Sequence, residues 1–246
     1  MIAIIIQARM GSSRLPGKIM LNLAGKPILW HVVTRCEHSK FADKVIVATT
    51  TRKEDDVIEE FCQKNNILCF RGDSENVLSR YYEAAKKYGA DIIVRVTSDC
   101  PLVDPQIIDL CIDSLVKNKY DYISNANPGK RMFPRGLDVE VFSFEALEKT
   151  HKLAAEDYQK EHVTPFIWEN KNKNFVVGPV ITAPPPYQGN FRLTVDYPKD
   201  LELIKKIYKK FHRPGKIINT MWVVAFLHKN PKIAAINSHL KQKPLK

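Results

Sequence analysis

The 246 residues hold 38 Lys and Arg against 27 Asp and Glu, a formal net charge of +11, with 44% hydrophobic and 26% charged residues. That balance is ordinary for a soluble globular chain with enough material for a sizeable core. No stretch is apolar for long enough to span a bilayer, and Ile2–Ile6 is too short and lacks the cleavage pattern of a signal peptide, so a cytoplasmic protein is expected.

The charge excess is local. Residues 203–246 carry eleven Lys or Arg and no acid, which leaves residues 1–202 formally neutral. Such an end suits RNA, an anionic membrane surface, a polyanionic product or plain solubility. It lacks the interleaved aromatics of a nucleic-acid patch, so no specific nucleic-acid partner is expected. Cys36, Cys62, Cys69, Cys100 and Cys111 form no C-x-x-C pair, which argues against structural zinc and a disulfide framework.

Along the chain, short β-branched runs alternate with helical periods. Strands are predicted at 2–7, 44–48, 67–70, 91–96 and 121–123, with helices at 27–36, 55–64, 75–88 and 105–116 between them. Four βα units in a row imply right-handed crossovers and a mainly parallel sheet covered on both faces. Ser74, Asp104-Pro105 and Gly89 supply the punctuation of helix ends. Beyond Asn125 the pattern changes to a long turn-rich loop, NANPGKRMFPRG (125–136), which reads as a binding loop. Strands are predicted at 138–142, 175–182 and 191–195, and helices at 144–154, 158–168, 198–211 and 219–228. A single domain is expected over 1–230, with 125–190 as an acceptor-binding or dimerisation insertion and 231–246 as a basic tail.

The first strand runs into ARMGSSRLPGK (8–18), where Arg9, Arg14 and Lys18 fall within ten residues. Five residues separate Gly11 from Gly17 and Ile19 follows Lys18, so this is no Walker phosphate loop. Pro16 and the glycine spacing exclude a dinucleotide fingerprint as well. Three cations in one tight loop repel each other unless an anion sits among them. A solvated surface loop is the simpler reading of such charge. Its place at a strand's C-terminal end, where open α/β sheets bind ligands, favours an anion site.

Three further stretches follow strands: FRGDSENVLSRYY (70–82), RVTSDCPLVD (95–104) and FRLTVDYPKDL (191–201). They add Arg71 and Arg192 to the cations, and Asp99 and Asp196 as carboxylates. Carboxylates beside a polyphosphate make sense as ligands of a hard cation such as Mg²⁺ that bridges to it. Each Asp could equally start a turn or a helix. On the acceptor side, Asp138 and Glu140 share a face at period-2 spacing, and Asn125, His162, Tyr187 and Arg192 are rim candidates.

The loop 8–18 resembles the signature of the cytidylyltransferases that make CMP-activated ulosonic acids, the CMP-Kdo and CMP-sialate synthetase group. With FRG (70–72), TSDCPLVDP (97–105), GLDVEVFS (136–143), EHVTP (161–165) and TVDYPKDLE (194–202), nearly the whole chain is similar to the SpsF spore-coat polysaccharide branch of that superfamily. The resemblance implies an α/β fold, Rossmann-like and doubly wound, of the nucleotide-diphospho-sugar transferase type. It implies CTP held by Ala8, Arg9, Gly11, Ser12, Arg14, Lys18, Arg71 and Ser98, with Ala8 and Arg71 selecting the base. Mg²⁺ would lie on Asp99 and Asp196, the catalytic set would be Arg9, Arg14, Lys18, Asp99 and Asp196, and the partners would be an acidic sugar and a second copy of the chain. A glycosyltransferase with a nucleotide-sugar donor and a polyanion-binding protein are the competing readings. The lack of a clear D-x-D at a strand end counts against the first.

Overall fold

The computed structural model describes residues 1–127 and 130–242. Six strands form the central sheet: β1 (Ile2–Gln7), β2 (Lys44–Thr50), β3 (Leu68–Gly72), β4 (Ile92–Thr97), β5 (Tyr122–Ser124) and β6 (Glu140–Ser143). Their order is β3-β2-β1-β4-β6-β5. The β1–β2, β1–β4 and β2–β3 pairs are parallel, and β6 runs antiparallel to both β4 and β5. The chain thus builds outward from β1 in both directions. This is the α/β, Rossmann-like, mainly parallel architecture implied by the sequence.

β1 sits centrally because its sequence has no polar face. Ile4 and Ile6 enter one core, Ala3 and Ile5 the other, and all four are fully buried. Such a strand needs cover on both sides. Helices α1 (Ile28–Cys36), α2 (Asp56–Lys64) and α4 (Pro105–Asn118) supply it on the first face, and α3 (Val77–Tyr88) on the second. Later in the chain, α5 (Phe144–Leu153), α6 (Asp157–His162) and α7 (Pro165–Glu169) join the second face. Helices α8 (Pro198–Phe211) and α9 (Thr220–Lys229) join the first. Asp104 caps α4 by accepting from Gln106 N at 2.8 Å, with Pro105 in the first turn, and Gly89 ends α3 in the left-handed region. The cap of α3 is Asn76, which accepts from Ser79 N, and not Ser74.

Several expectations need correction. The helix predicted over 158–168 is broken at Val163, a fully buried β-branched residue at φ 71°, ψ −55°, where Thr164 N donates to His162 O across a tight turn. Positive φ is costly for such a side chain, so the surrounding packing must impose it. Neither 175–182 nor 191–195 joins the sheet as a full strand. The first runs along the free edge of β5, with Gly178 N on Tyr122 O and Ile181 N on Ser124 O. The second finds its partners in two loops: Leu193 N donates to Arg135 O and Val195 N to Asp99 O. Asp138 lies before β6, outside the strand predicted to hold it.

The expected tail is not a free extension. Helix α10 (Pro231–Ala234) follows α9, and Asn237 is 1% exposed. Lys243 and Lys246, part of its charge, lie outside the described residues.

Candidate active site

Four segments meet at the C-terminal ends of β1 and β4. After β1, Ala8 N donates to Ala48 O on β2 and the loop turns outward. Its return depends on Gly17, whose φ of 63° is open to glycine and strained for other residues, and whose N–H bonds Met10 O at 3.1 Å. That turn starts the short 3-10 helix Lys18–Met20 and brings Lys18 back over the strand ends. Buried Asp55 anchors the outgoing arm by accepting from Met10 N at 2.6 Å and from the Thr50 hydroxyl.

The other side is set by backbone. Because Val195 N is bonded to Asp99 O at 2.8 Å, the Asp99 and Asp196 side chains converge. Lys18 Nζ lies between them, 2.6 Å from Asp99 Oδ2 and 2.8 Å from Asp196 Oδ1. Arg14 donates to the same Asp196 oxygen at 2.7 Å and stacks its guanidinium 5.1 Å from the centre of the Tyr197 ring. Arg192 takes the remaining oxygen, Oδ2, at 2.6 Å. Asp196, 4% exposed, therefore faces three cations. Burial opposes ionisation of Asp99, yet the Lys18 ammonium and hydrogen bonds from Thr97 and Cys100 outweigh it and hold the carboxyl below its ordinary range. For Lys18, burial works against the charge and the two carboxylates win, so its pKa is raised.

With this geometry the cytidylyltransferase family profile agrees, matching residues 3–218. The chain belongs to the cytidylyltransferase family. It is 34% identical to the Bacillus subtilis spore coat polysaccharide biosynthesis protein SpsF over 95% of this chain and 96% of that one. It is 38% identical to the 3-deoxy-manno-octulosonate cytidylyltransferase of Trichlorobacter lovleyi over 48% of this chain and 46% of the other. A cytidylyltransferase structure from Leptospira borgpetersenii superposes with a TM-score of 0.86 at 36% identity, covering 99% of both chains.

In this cytidylyltransferase the residues expected to hold the nucleotide and Mg²⁺ do not form one cluster. Arg14, Lys18, Asp99 and Asp196 form the cluster just described. Arg9 and Gly11 line an adjacent cleft of about 210 Å³ together with Ser13, Thr50, Arg52, Glu54, Asp55 and Ser74. Among the described residues Arg9 makes no hydrogen bond or ion pair. Ser12 accepts from Leu15 N at 3.4 Å and shapes the loop, while buried Ser98 donates its N–H to Gln7 O. Arg71 is held elsewhere. Its guanidinium bonds Glu59, Asp56 and the carbonyls of Thr50 and Arg52, so base selection by this side chain would require those contacts to be broken.

On the acceptor side most expected residues serve the fold. Asn125 is fully buried, donating to Leu137 O at 2.7 Å and accepting from Val139 N at 2.8 Å, which ties the end of β5 to the chain before β6. Tyr187 is 6% exposed and bonds Gln106 and Asp104. Arg192 is 7% exposed and fully engaged. Asp138 pairs with Arg131, and Glu140 accepts from Arg95, Tyr122 and Thr164. His162 ends α6 next to that Glu140 cluster.

Sequence reasoning passed over Arg135. Gly136, at φ 96°, lies so close to Leu193 and Thr194 that a Cβ would stand 2.6 Å from their backbone. This presses Arg135 against the segment leading to Asp196. Half-buried, it makes no hydrogen bond or ion pair through its side chain among the described residues. Burial, then Arg131 and Arg192, pull its pKa down while Asp138 and Asp196 pull it up, with a net lowering. Only its place in FPRG, inside a loop read as a binding loop, could have signalled it.

No group of three or more Asp, Glu, His or Cys side chains among the described residues could hold a metal ion by itself. Two carboxylates converging on one cationic nitrogen are a different donor set. Their chemistry is of the kind that would suit Mg²⁺, which takes one or two carboxylates and completes its shell with phosphate oxygens and water.

Proposed function

We propose that this cytidylyltransferase joins the CMP moiety of CTP to a hydroxyl of an acidic sugar and releases pyrophosphate. The supporting observation is the Lys18 ammonium between Asp99 and Asp196 with Arg14 alongside, a preorganised set of opposite charges at the strand ends. In-line attack on the α-phosphate concentrates negative charge on the leaving oxygen. Lys18 and Arg14 offset that charge, and Arg9, unpaired among the described residues and lining the adjacent cleft, supplies a third cation for the polyphosphate. Asp99 and Asp196 would hold Mg²⁺. When bound, it would supply Lewis-acid polarisation of the α-phosphate. Asp99 stays ionised through the neutral range because its pKa is depressed.

Arg135 would anchor the acid group of the acceptor. Its charge has no bonded counter-ion among the described residues, and its backbone bonds Phe191 and Leu193 in the segment that leads to Asp196. Arg135→Gln is then expected to raise the acceptor KM about tenfold or more, the value of one charge-assisted contact, and to leave the CTP KM unchanged. Equal acceptor KM in variant and parent would remove Arg135 from this role.

The function itself is tested by pyrophosphate release with each of the four ribonucleoside triphosphates against 3-deoxy-manno-octulosonate, N-acetylneuraminate and neutral sugars. Turnover is expected only with CTP and a sugar acid, and EDTA should abolish it. Turnover with a neutral sugar, or full activity in EDTA, would contradict the acceptor class or the metal respectively.

A further inference from the structure

The family match ends at residue 218, but the hydrogen bonds that support Asp196 do not. Arg192 uses each edge of its guanidinium on a different partner: Nε on Asp200 Oδ1 at 2.9 Å, one terminal nitrogen on Asp196 Oδ2 at 2.6 Å, and the other on Gln242 Oε1 at 2.8 Å. The group is planar, so fixing the Asp200 and Gln242 edges fixes the direction of the edge that meets Asp196. Asp200, fully buried, also sets the backbone. Its Oδ2 accepts from Asp196 N at 2.9 Å and Tyr197 N at 3.0 Å.

Asn237 closes this frame from the C-terminal segment. Its amide nitrogen donates to Arg192 O at 2.9 Å and to Asp200 Oδ1 at 2.8 Å. Both partners are acceptors, so the amide has one workable orientation. A neutral double donor suits the position. A carboxylate there would repel Asp200, and an apolar side chain would leave a fully buried carboxylate oxygen short of a donor.

We propose that the segment 230–242 is part of the catalytic apparatus, with Asn237 and Gln242 as positioning residues. Through Arg192 and Asp200 they hold Asp196 Oδ2 on the Arg192 guanidinium and leave Oδ1 facing Lys18 and Arg14. This rests on the reading of Asp196 as a ligand of Mg²⁺ in the CTP complex.

The test is calorimetric titration of the full-length protein with CTP, in Mg²⁺ and in EDTA, well below the unfolding temperature. The parent should bind CTP more tightly in Mg²⁺. In Asn237→Ala that gain is expected to shrink about five- to tenfold, with affinity in EDTA changed less than twofold. A purely structural role would lower the melting temperature and leave the gain intact. Gln242→Ala, at an exposed position, gives a smaller shrinkage without endangering the fold, and decides the matter if Asn237→Ala does not fold. A gain equal to the parent's in the folded variants overturns the positioning role and leaves the metal assignment standing. No gain in the parent itself overturns the metal assignment and this proposal together.

Discussion

Asp196→Asn is expected to abolish pyrophosphate release and to destabilise the fold by about 3–5 kcal/mol, the usual result of removing one partner from a buried ionic cluster. The substitution keeps the shape and some hydrogen bonding. It removes the one negative charge that Arg14, Lys18 and Arg192 all contact, and leaves three cations around a neutral amide. Asp99 still reaches Lys18, but neither arginine forms an ion pair with it. Urea denaturation should therefore show a lower midpoint with an unchanged slope. An Asp196→Asn protein with parental stability and turnover would mean that the cluster has neither role.

Lys18→Ala should lower kcat by about 10²–10³, the scale seen when one preorganised donor to a developing negative charge is lost. The same variant has a pH signature. In the parent Asp99 titrates below its ordinary value of 3.8, so its ionised form contributes stability above that value and loses it as pH falls through the depressed folded-state pKa. Without Lys18, burial is no longer outweighed and the folded-state pKa rises. Acid unfolding should then begin at higher pH than in the parent. Lys18 has the opposite sign: its raised pKa gives stability that is complete below 10.5 and is lost as pH rises through the folded value. The share of the parent's alkaline limb that comes from Lys18 should accordingly be missing in the variant, while buried Tyr81, Tyr122 and Tyr208, whose pKa values burial raises, keep the rest. Matching acid and alkaline limbs in the two proteins would show that the Lys18–Asp99 contact is absent in solution.

The charged residues expected on the nucleotide side stand together as far as local spacing already limits them. Arg9, Arg14 and Lys18 lie on one short loop after a strand without a polar face, and no fold can scatter them far. Asp99 was legible as a strand-end carboxylate, whereas Asp196 follows a segment that only looks like a strand. That they meet on one ammonium depends on the bond between Val195 N and Asp99 O, across 96 residues. Residues 191–195 look like a sheet strand by composition, and only the structure reveals that their partners are loops. The acceptor side misled for a related reason. A polar residue near a strand end can serve a ligand or satisfy buried backbone, and Asn125 and Tyr187 turn out to do the second.

By itself the sequence determined the order of βα units, the buried central strand, the charged first loop and the family. All of these are written in periods of two to four residues or in contiguous motifs, which the chain cannot hide. Tertiary structure decided what depends on contacts between distant segments. It turned Arg71 toward Asp56 and Glu59, left the Arg135 side chain without a hydrogen-bond or ion-pair partner among the described residues, and drew Asn237 onto Arg192 and Asp200. A count of charges made residues 203–246 a uniformly basic end. Its neutral Asn237 donates to Asp200 and its neutral Gln242 accepts from Arg192, because buried polar groups need partners of the right kind and composition says nothing about where those partners come from.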